Sequence, residues 1–268
     1  MRTPRINAED LGEIKAPHVE LATQRAIADY LDTETARIDA LIAKKHRMIE
    51  LLEERWRGWL RRRLLAQDIP IVPLKRGWSV IDCKHRTPTY VDAGYPVVSP
   101  GDATPGRLDL SRAHRFVDSE EFHELVSGGR RPQRGDIIYS RNASIGIASY
   151  VDTDVEFCMG QDVCLITSRS QSQLYLMYVL NSLGVDQLEE LKVGSTFSRV
   201  NVGQILELEV PFPTSDEQHQ IAEHVDRKRN HVDQLTGRID RQINLLIEHR
   251  QALITAAVTG ELDVSKAA

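Results

Sequence analysis

Apolar positions recur along this chain in two long stretches, at steps of three and four residues. Ile38, Leu41, Lys45, Met48, Leu52 and Trp59 share one face of the first stretch, and Val232, Leu235, Ile239, Gln242, Leu246 and Leu253 one face of the second. A mean step of 3.5 residues keeps the same face turned toward a partner as each helix winds, so the pattern predicts paired helices. The pairing residues expected from it are Ile38, Leu41, Met48 and Leu52 on the first arm and Val232, Leu235, Ile239 and Leu246 on the second. The first arm is expected over about residues 33–66, roughly 50 Å at 1.5 Å per residue. A helix that long needs a partner along its length, either the second arm or the arm of another copy. Ser215 with Gln218 reads as a capping box behind Pro211 and Pro213, and Gly260 as a stop.

Between the arms the period changes. Short β-prone runs at 69–73, 95–98, 136–139, 145–151 and 163–167 are separated by Gly and Pro, and helices are expected at 172–183 and 185–191. The fold class expected is therefore α+β: one globular domain flanked by two long coiled-coil-forming helical arms. The boundaries read as a leading tail at 1–16, a first arm at 17–66, the domain at 67–213, a second arm at 214–260 and a closing tail at 261–268.

The arms are also copies of one another. Residues 5–54 align with 199–248 without a gap and share 15 identities, from Arg5 with Arg199 and Pro17 with Pro211 to Gln24 with Gln218, Asp32 with Asp226 and Glu54 with Glu248. Background usage would give about three. A 194-residue period in a 268-residue chain reads as one full unit preceded by the end of another, so residues 1–16 are expected to be the tail of a preceding repeat.

Composition narrows the classes. The chain is 41% hydrophobic and 27% charged, as a soluble globular protein is, and no run is long enough for a membrane span. The first residues lack an apolar signal core. Cys83, Cys158 and Cys164 contain no C-x-x-C pair and suit a reducing cytoplasm, the location expected. A net charge of −5 argues against a protein that merely coats nucleic acid, though not against one that reads bases from a few placed side chains. No phosphate-binding glycine loop, H-E-x-x-H or G-x-S-x-G motif occurs, nor an Asn-Pro-Pro-aromatic tetrad for an extruded base. His219, His224 and His231 lie on the second arm without a ligand spacing. The expectation is a non-catalytic chain with no resident metal.

At this point the residues resemble a family. The arm segments Gln24, Ile27-Ala28-Asp29-Tyr30-Leu31-Asp32, Ala36-Arg37-Ile38-Asp39-Ala40-Leu41-Ile42, Asp216-Glu217-Gln218, Ile221-Ala222 and Ala257-Val258-Thr259-Gly260 resemble the conserved helical regions of Type I restriction–modification specificity (S) subunits. Asp82-Cys83-Lys84-His85-Arg86-Thr87-Pro88, Arg134-Gly135-Asp136-Ile137-Ile138-Tyr139-Ser140-Arg141, Ile145-Gly146 and Val210-Pro211-Phe212-Pro213 resemble one target-recognition domain. Such subunits commonly carry two recognition domains, so the chain looks like a half-length form. The resemblance implies a DNA-reading subunit that binds no cofactor itself. It docks modification (M) subunits, which hold S-adenosylmethionine and methylate adenine, and restriction (R) subunits, which act with ATP. It implies double-stranded DNA as a partner. Because one domain reads one short half-site and the two arms are built alike, twofold pairing into a homodimer of half-subunits is expected.

The residues offer places for DNA. Lys84, His85, Arg86, Thr87 and Tyr90 crowd a Pro-punctuated loop, where Arg suits guanine and Lys and Thr suit phosphate. Arg141, Asn142 and Ser144 follow an extended run; Gln161 follows a glycine; Ser195, Thr196, Ser198 and Arg199 form a hydroxyl-rich loop ending in a cation. Each stretch also reads as an ordinary polar turn. Residues 67–213 hold 14 Lys and Arg against 19 Asp and Glu, so DNA binding needs local clustering. Five arginines lie between Arg55 and Arg63, set for phosphate or for a partner subunit. The alternative reading is a coiled-coil assembly scaffold that does not read DNA.

Overall fold

The computed structural model describes residues 19–65, 69–192 and 199–264. In chain order the elements are α1 (Leu21–Leu64), β1 (Ile71–Pro73), β2 (Ser79–Asp82), β3 (Tyr95–Val98), β4 (Gly106–Arg107), β5 (Phe116–Val117), α2 (Ser119–Val126), β6 (Ile137–Ser140), β7 (Ala148–Tyr150), β8 (Cys158–Met159), β9 (Val163–Thr167), α3 (Gln173–Val179), a π-turn (Leu180–Gly184), α4 (Val185–Lys192), α5 (Val202–Leu206), β10 (Glu209–Pro211) and α6 (Ser215–Thr259). They form two units, one from the described residues up to Glu54 and from His231 onward, the other from Arg55–Asn230.

In the first unit α1 and α6 run antiparallel within the one chain. Asp39 is ion-paired with Arg250 at 3.1 Å, and Lys45 Nζ donates to Gln242 Oε1 at 2.6 Å, so position rises along one helix as it falls along the other. Of the expected seam residues, Ile38, Val232 and Ile239 are buried, and Leu52, Leu235 and Leu246 partly so. Leu41 and Met48 are not in the seam: they are 42% and 54% exposed. Steps of three-then-four and four-then-three have the same mean, and α1 takes the second, turning Ile42 and Ile49 inward instead. The branched isoleucines fill the contact, and Leu41 and Met48 form an outer stripe. The arm also begins at Leu21, well before residue 33; its 44 residues make it about 66 Å long.

The second unit is built on a five-stranded sheet in the order β2-β9-β6-β7-β4, antiparallel except where β4 joins β7. β6 and β9 (Ile137-Ile138-Tyr139-Ser140 and Val163-Cys164-Leu165-Ile166-Thr167) are covered on both faces, which is why they read as continuous apolar runs rather than alternating ones. Ile138, Leu165, Val98, Val151 and Phe157 make the main core. A three-stranded sheet, β5-β3-β8, packs a smaller core of Val97, Val117, Cys158 and Leu125 around Phe122 of α2. β1 pairs with β10 and brings the two ends of the domain together, Val72 opposite Val210.

Within this unit the first turns of α6 are a packing face. Ile221, Ala222 and Val225 are buried, each large apolar side chain contributing about 1.5–3 kcal/mol. Gln218, wholly buried, accepts from Ser172 N at 3.0 Å and donates to Gln171 Oε1 at 2.7 Å and Pro213 O at 3.0 Å. Asp226 accepts from Tyr178 Oη at 2.9 Å and from Arg107 Nη2. The expected capping box lies one residue earlier than Ser215–Gln218: Thr214 N and Oγ1 donate to Glu217 Oε2 at 2.9 and 2.7 Å. Gln218 is engaged by the domain and cannot serve as the box's return arm. Trp56 and Trp59 stack on each other, and Trp56 meets Tyr178 edge-on.

Candidate nucleic-acid interface

β6 ends at Ser140 and delivers Arg141 into a polar junction. Arg141 is 4% exposed. Its Nη1 is ion-paired with Asp82, its Nε donates to Val200 O at 2.9 Å, and its backbone N–H donates to Asp162 O at 2.8 Å. Asp82 Oδ2 lies 3.1 Å from His85 Nε2, and Asp82 O accepts from Arg130 Nε at 2.9 Å. Asp162 in turn holds Arg199 Nε at 2.8 Å and Asn142 Nδ2 at 3.2 Å. Gln161 Nε2 donates to Thr87 Oγ1 at 2.8 Å. Four segments distant in sequence, near residues 82–87, 141–143, 161–162 and 199–200, therefore meet at one place.

Backbone strain gathers there too. Ala143 (φ 54°) and Asp162 (φ 65°) are the two non-glycine residues with left-handed backbone among those described. That conformation is uncommon outside turns and fixes the direction of both loop tips.

The junction decides which expected contacts reach solvent. Arg141, expected as a base reader, has its guanidinium buried and bound to Asp82 and Val200, so in this structure it ties the loops together rather than standing at their tips. His85, Arg86, Thr87, Gln161 and Arg199 are exposed, and Lys84, Asn142 and Ser144 partly so. Pro88 is buried and anchors the loop. Tyr90 is exposed and carries the Arg115 guanidinium over its ring at 5.2 Å. Ser195, Thr196 and Ser198 lie outside the described residues.

Two acids of α2 hold the loop's cations. Arg86 Nη2 lies 2.6 and 2.5 Å from the two carboxylate oxygens of Glu121, and Lys84 Nζ lies 2.5 Å from Glu124 Oε1. The hydrogen bond from Lys84 holds the Glu124 carboxyl below its ordinary range. Sequence reasoning missed Asp82 and Asp162 as junction residues, the acids of α2, and Arg115. The last was legible in the cluster Arg112-Ala113-His114-Arg115. Asp82, Cys83 and His85 offer donor atoms within 4.8 Å of one another. Arg141 already neutralises Asp82, and burial pushes the Cys83 thiol up, so the set does not fit a cation.

Fold and site define a class: a mixed α/β domain with a polar loop junction, in one chain with a pair of antiparallel helical arms. The chain belongs to the Type I restriction modification DNA specificity family, whose domain matches residues 90–245. It is 21% identical over 285 aligned positions to the Type I restriction enzyme EcoBI specificity subunit of Escherichia coli, covering 96% of this chain and 60% of that one. It is 31% identical over 163 positions to the EcoDI specificity subunit of Escherichia coli, covering 59% of this chain and 35% of the relative. The fold resembles a chain from a structure of type I R-M complex assembly and conformational transition (TM-score 0.78, 18% identity, 98% of this chain and 65% of that one). It also resembles the HsdS subunit of Thermoanaerobacter tengcongensis (TM-score 0.56, 17% identity, 98% and 65%). The chain thus spans less than two thirds of the length of these relatives.

Proposed function

We propose that the chain is the sequence-specific DNA-recognition subunit of a Type I restriction–modification system. It reads one half-site of double-stranded DNA, and its arms dock M subunits and through them R subunits. It contributes no catalytic group; S-adenosylmethionine is held by the M subunits, and the assembly works in the cytoplasm. The observation that carries this reading is the meeting of four segments at Arg141, with exposed Arg, His, Thr and Gln side chains and a partly exposed Asn at their tips. Rigid roots with polar tips are what base readout requires, since each contact must arrive in register with a groove edge. Among the described residues no helix is long and apolar enough to cross a membrane.

One such domain reads too few bases for useful discrimination in a genome. We infer that a second comes from a second copy, joined through arm surface outside the seam, where Leu41, Met48, Leu245 and Ile247 are exposed. Closed twofold pairing is the common outcome for a self-complementary surface. The target is then two inverted half-sites around a fixed gap.

The test is selection from randomised duplexes by the chain bound to its M subunits, with methylome sequencing of cells carrying both. Enrichment of one gapped, inverted motif supports the reading, and a folded complex that enriches nothing ends it. The purified chain alone should transfer no tritium from S-adenosylmethionine to DNA. Light scattering should give twice 30.3 kDa. A single ungapped, non-palindromic motif overturns the dimer.

A further inference from the structure

The recognition loop does not present its cations freely. α2 sets Glu121 and Glu124 three residues apart, so both carboxylates face the loop, Glu121 holding Arg86 and Glu124 holding Lys84. Glu121 is well fixed. Its backbone N–H donates to the helix-capping Asp118 at 2.9 Å, its carboxylate also accepts from Thr89 N at 3.3 Å, and its side chain is 16% exposed. Lying in the first turn of α2, it is favoured by the helix dipole.

The atom Glu121 takes is informative. A guanidinium has two edges that can grip guanine with paired N–H groups, one made by Nε and Nη2 and the other by Nη1 and Nη2. Nη2 belongs to both, and both carboxylate oxygens contact it. While the ion pair stands, neither edge of Arg86 is complete. A phosphate passing the loop meets carboxylates as well as cations, in a domain that already holds 14 Lys and Arg against 19 Asp and Glu over residues 67–213.

We infer that Glu121 and Glu124 are specificity-determining residues: internal competitors that occupy Arg86 and Lys84 until a DNA site offering a better set of acceptors displaces them. Non-cognate DNA offers phosphate attraction alone and does not replace a fixed two-oxygen carboxylate contact. A cognate site offers base acceptors in register and does. Selectivity then arises from a cost laid on every wrong site, not only from contacts to the right one.

The inference rests on the DNA-recognition reading, and the experiment separates the two. Full-length chain with its M subunits is titrated with a mixed-sequence duplex and with its selected site over a range of salt. Three proteins are compared: parent, Glu121→Gln with Glu124→Gln, and Glu120→Gln. The last carries a charge change on the same helix but holds neither cation. Freed cations should tighten binding to the mixed-sequence duplex and steepen its salt dependence by about 0.9 per cation in log–log slope. The ratio of cognate to mixed-sequence affinity should fall, while Glu120→Gln behaves as the parent. If the double variant binds the mixed duplex no more tightly than the parent, or Glu120→Gln matches it, the inference is wrong. If the parent selects no site at all, it is the DNA-recognition reading that fails. Thermal unfolding of all three proteins confirms that the glutamines preserve the fold.

Discussion

Gln24 and Gln218 stand at the same position of the repeat and make the same hydrogen bond. Each side-chain amide donates to the carbonyl five residues earlier, Gln24 to Val19 at 2.8 Å and Gln218 to Pro213 at 3.0 Å. Around Gln218 the face Ile221, Ala222 and Val225 is buried; around Gln24 the corresponding Ala28 is exposed and Ile27 and Leu31 only partly covered. One local structure thus occurs in two environments.

That contrast yields the first prediction. Gln218→Ala strips the buried Ser172 N–H of its acceptor and should cost about 1–3 kcal/mol. Gln24→Ala, at an exposed position, should stay within about 0.5 kcal/mol. Urea unfolding of the two variants measures both, and equal costs would show that Gln218 is not held as described.

Arg141→Ala should act on stability. Removing one partner of a buried ion pair costs about 3–5 kcal/mol, because the other charge is left without compensation. Asp82 is partly exposed, which favours the lower end of that range. Chemical denaturation should show the loss without DNA present. A variant as stable as the parent that had lost base discrimination would restore Arg141 as a reader.

Arg86→Ala should lose about 1–3 kcal/mol of specific binding, concentrated at one base pair of the half-site, with little effect on folding. Competition among single-base variants of the selected site reads this out. Uniform weakening across all variants would reassign Arg86 to phosphate.

Deleting seven residues from each arm removes about 10.5 Å of helix while keeping the seam in phase. On the dimer reading the preferred gap should shorten by about three base pairs with the half-site bases unchanged. Site selection with the shortened chain checks it, and an unaltered gap would mean that the arms do not set the spacing.

The three cysteines should be inert in the folded protein. All are buried, and desolvation pushes the Cys158 thiol up to about 12 and raises Cys83 and Cys164 as well. Thiolate is the reactive form, so at pH 8 almost none is present. Mass spectrometry after iodoacetamide should find no adduct on native protein and three after denaturation.

The arms and the mixed domain were legible because periodicity reports burial directly. The phase of the seam was not. Leu41 or Ile42, and Met48 or Ile49, satisfy a 3.5-residue mean equally, and only packing against α6 decides between them. The site was legible as four polar stretches, since loop residue types show in sequence. Their internal hierarchy was hidden: Arg86 and Arg141 look alike on paper. One is exposed and the other buried because Asp82 and Val200 come together around Arg141 from 59 positions away in each direction. Glu121 and Glu124 belong to a short helix that the sequence reading did not resolve.

The junction at Arg141 separates two jobs that loops usually share. The roots of the four segments are tied to one guanidinium and two aspartates, while His85, Thr87, Ala143 and Gln161 stand at or near the tips in solvent. A change at a tip alters what the face offers to a ligand and gives up at most a tip contact such as Gln161 with Thr87, while the roots stay tied at Arg141. On the DNA-recognition reading, such a surface can drift from one target sequence to another by single substitutions, each intermediate remaining folded and able to assemble. A host could then diversify the DNA it marks as its own without rebuilding the subunit that reads it.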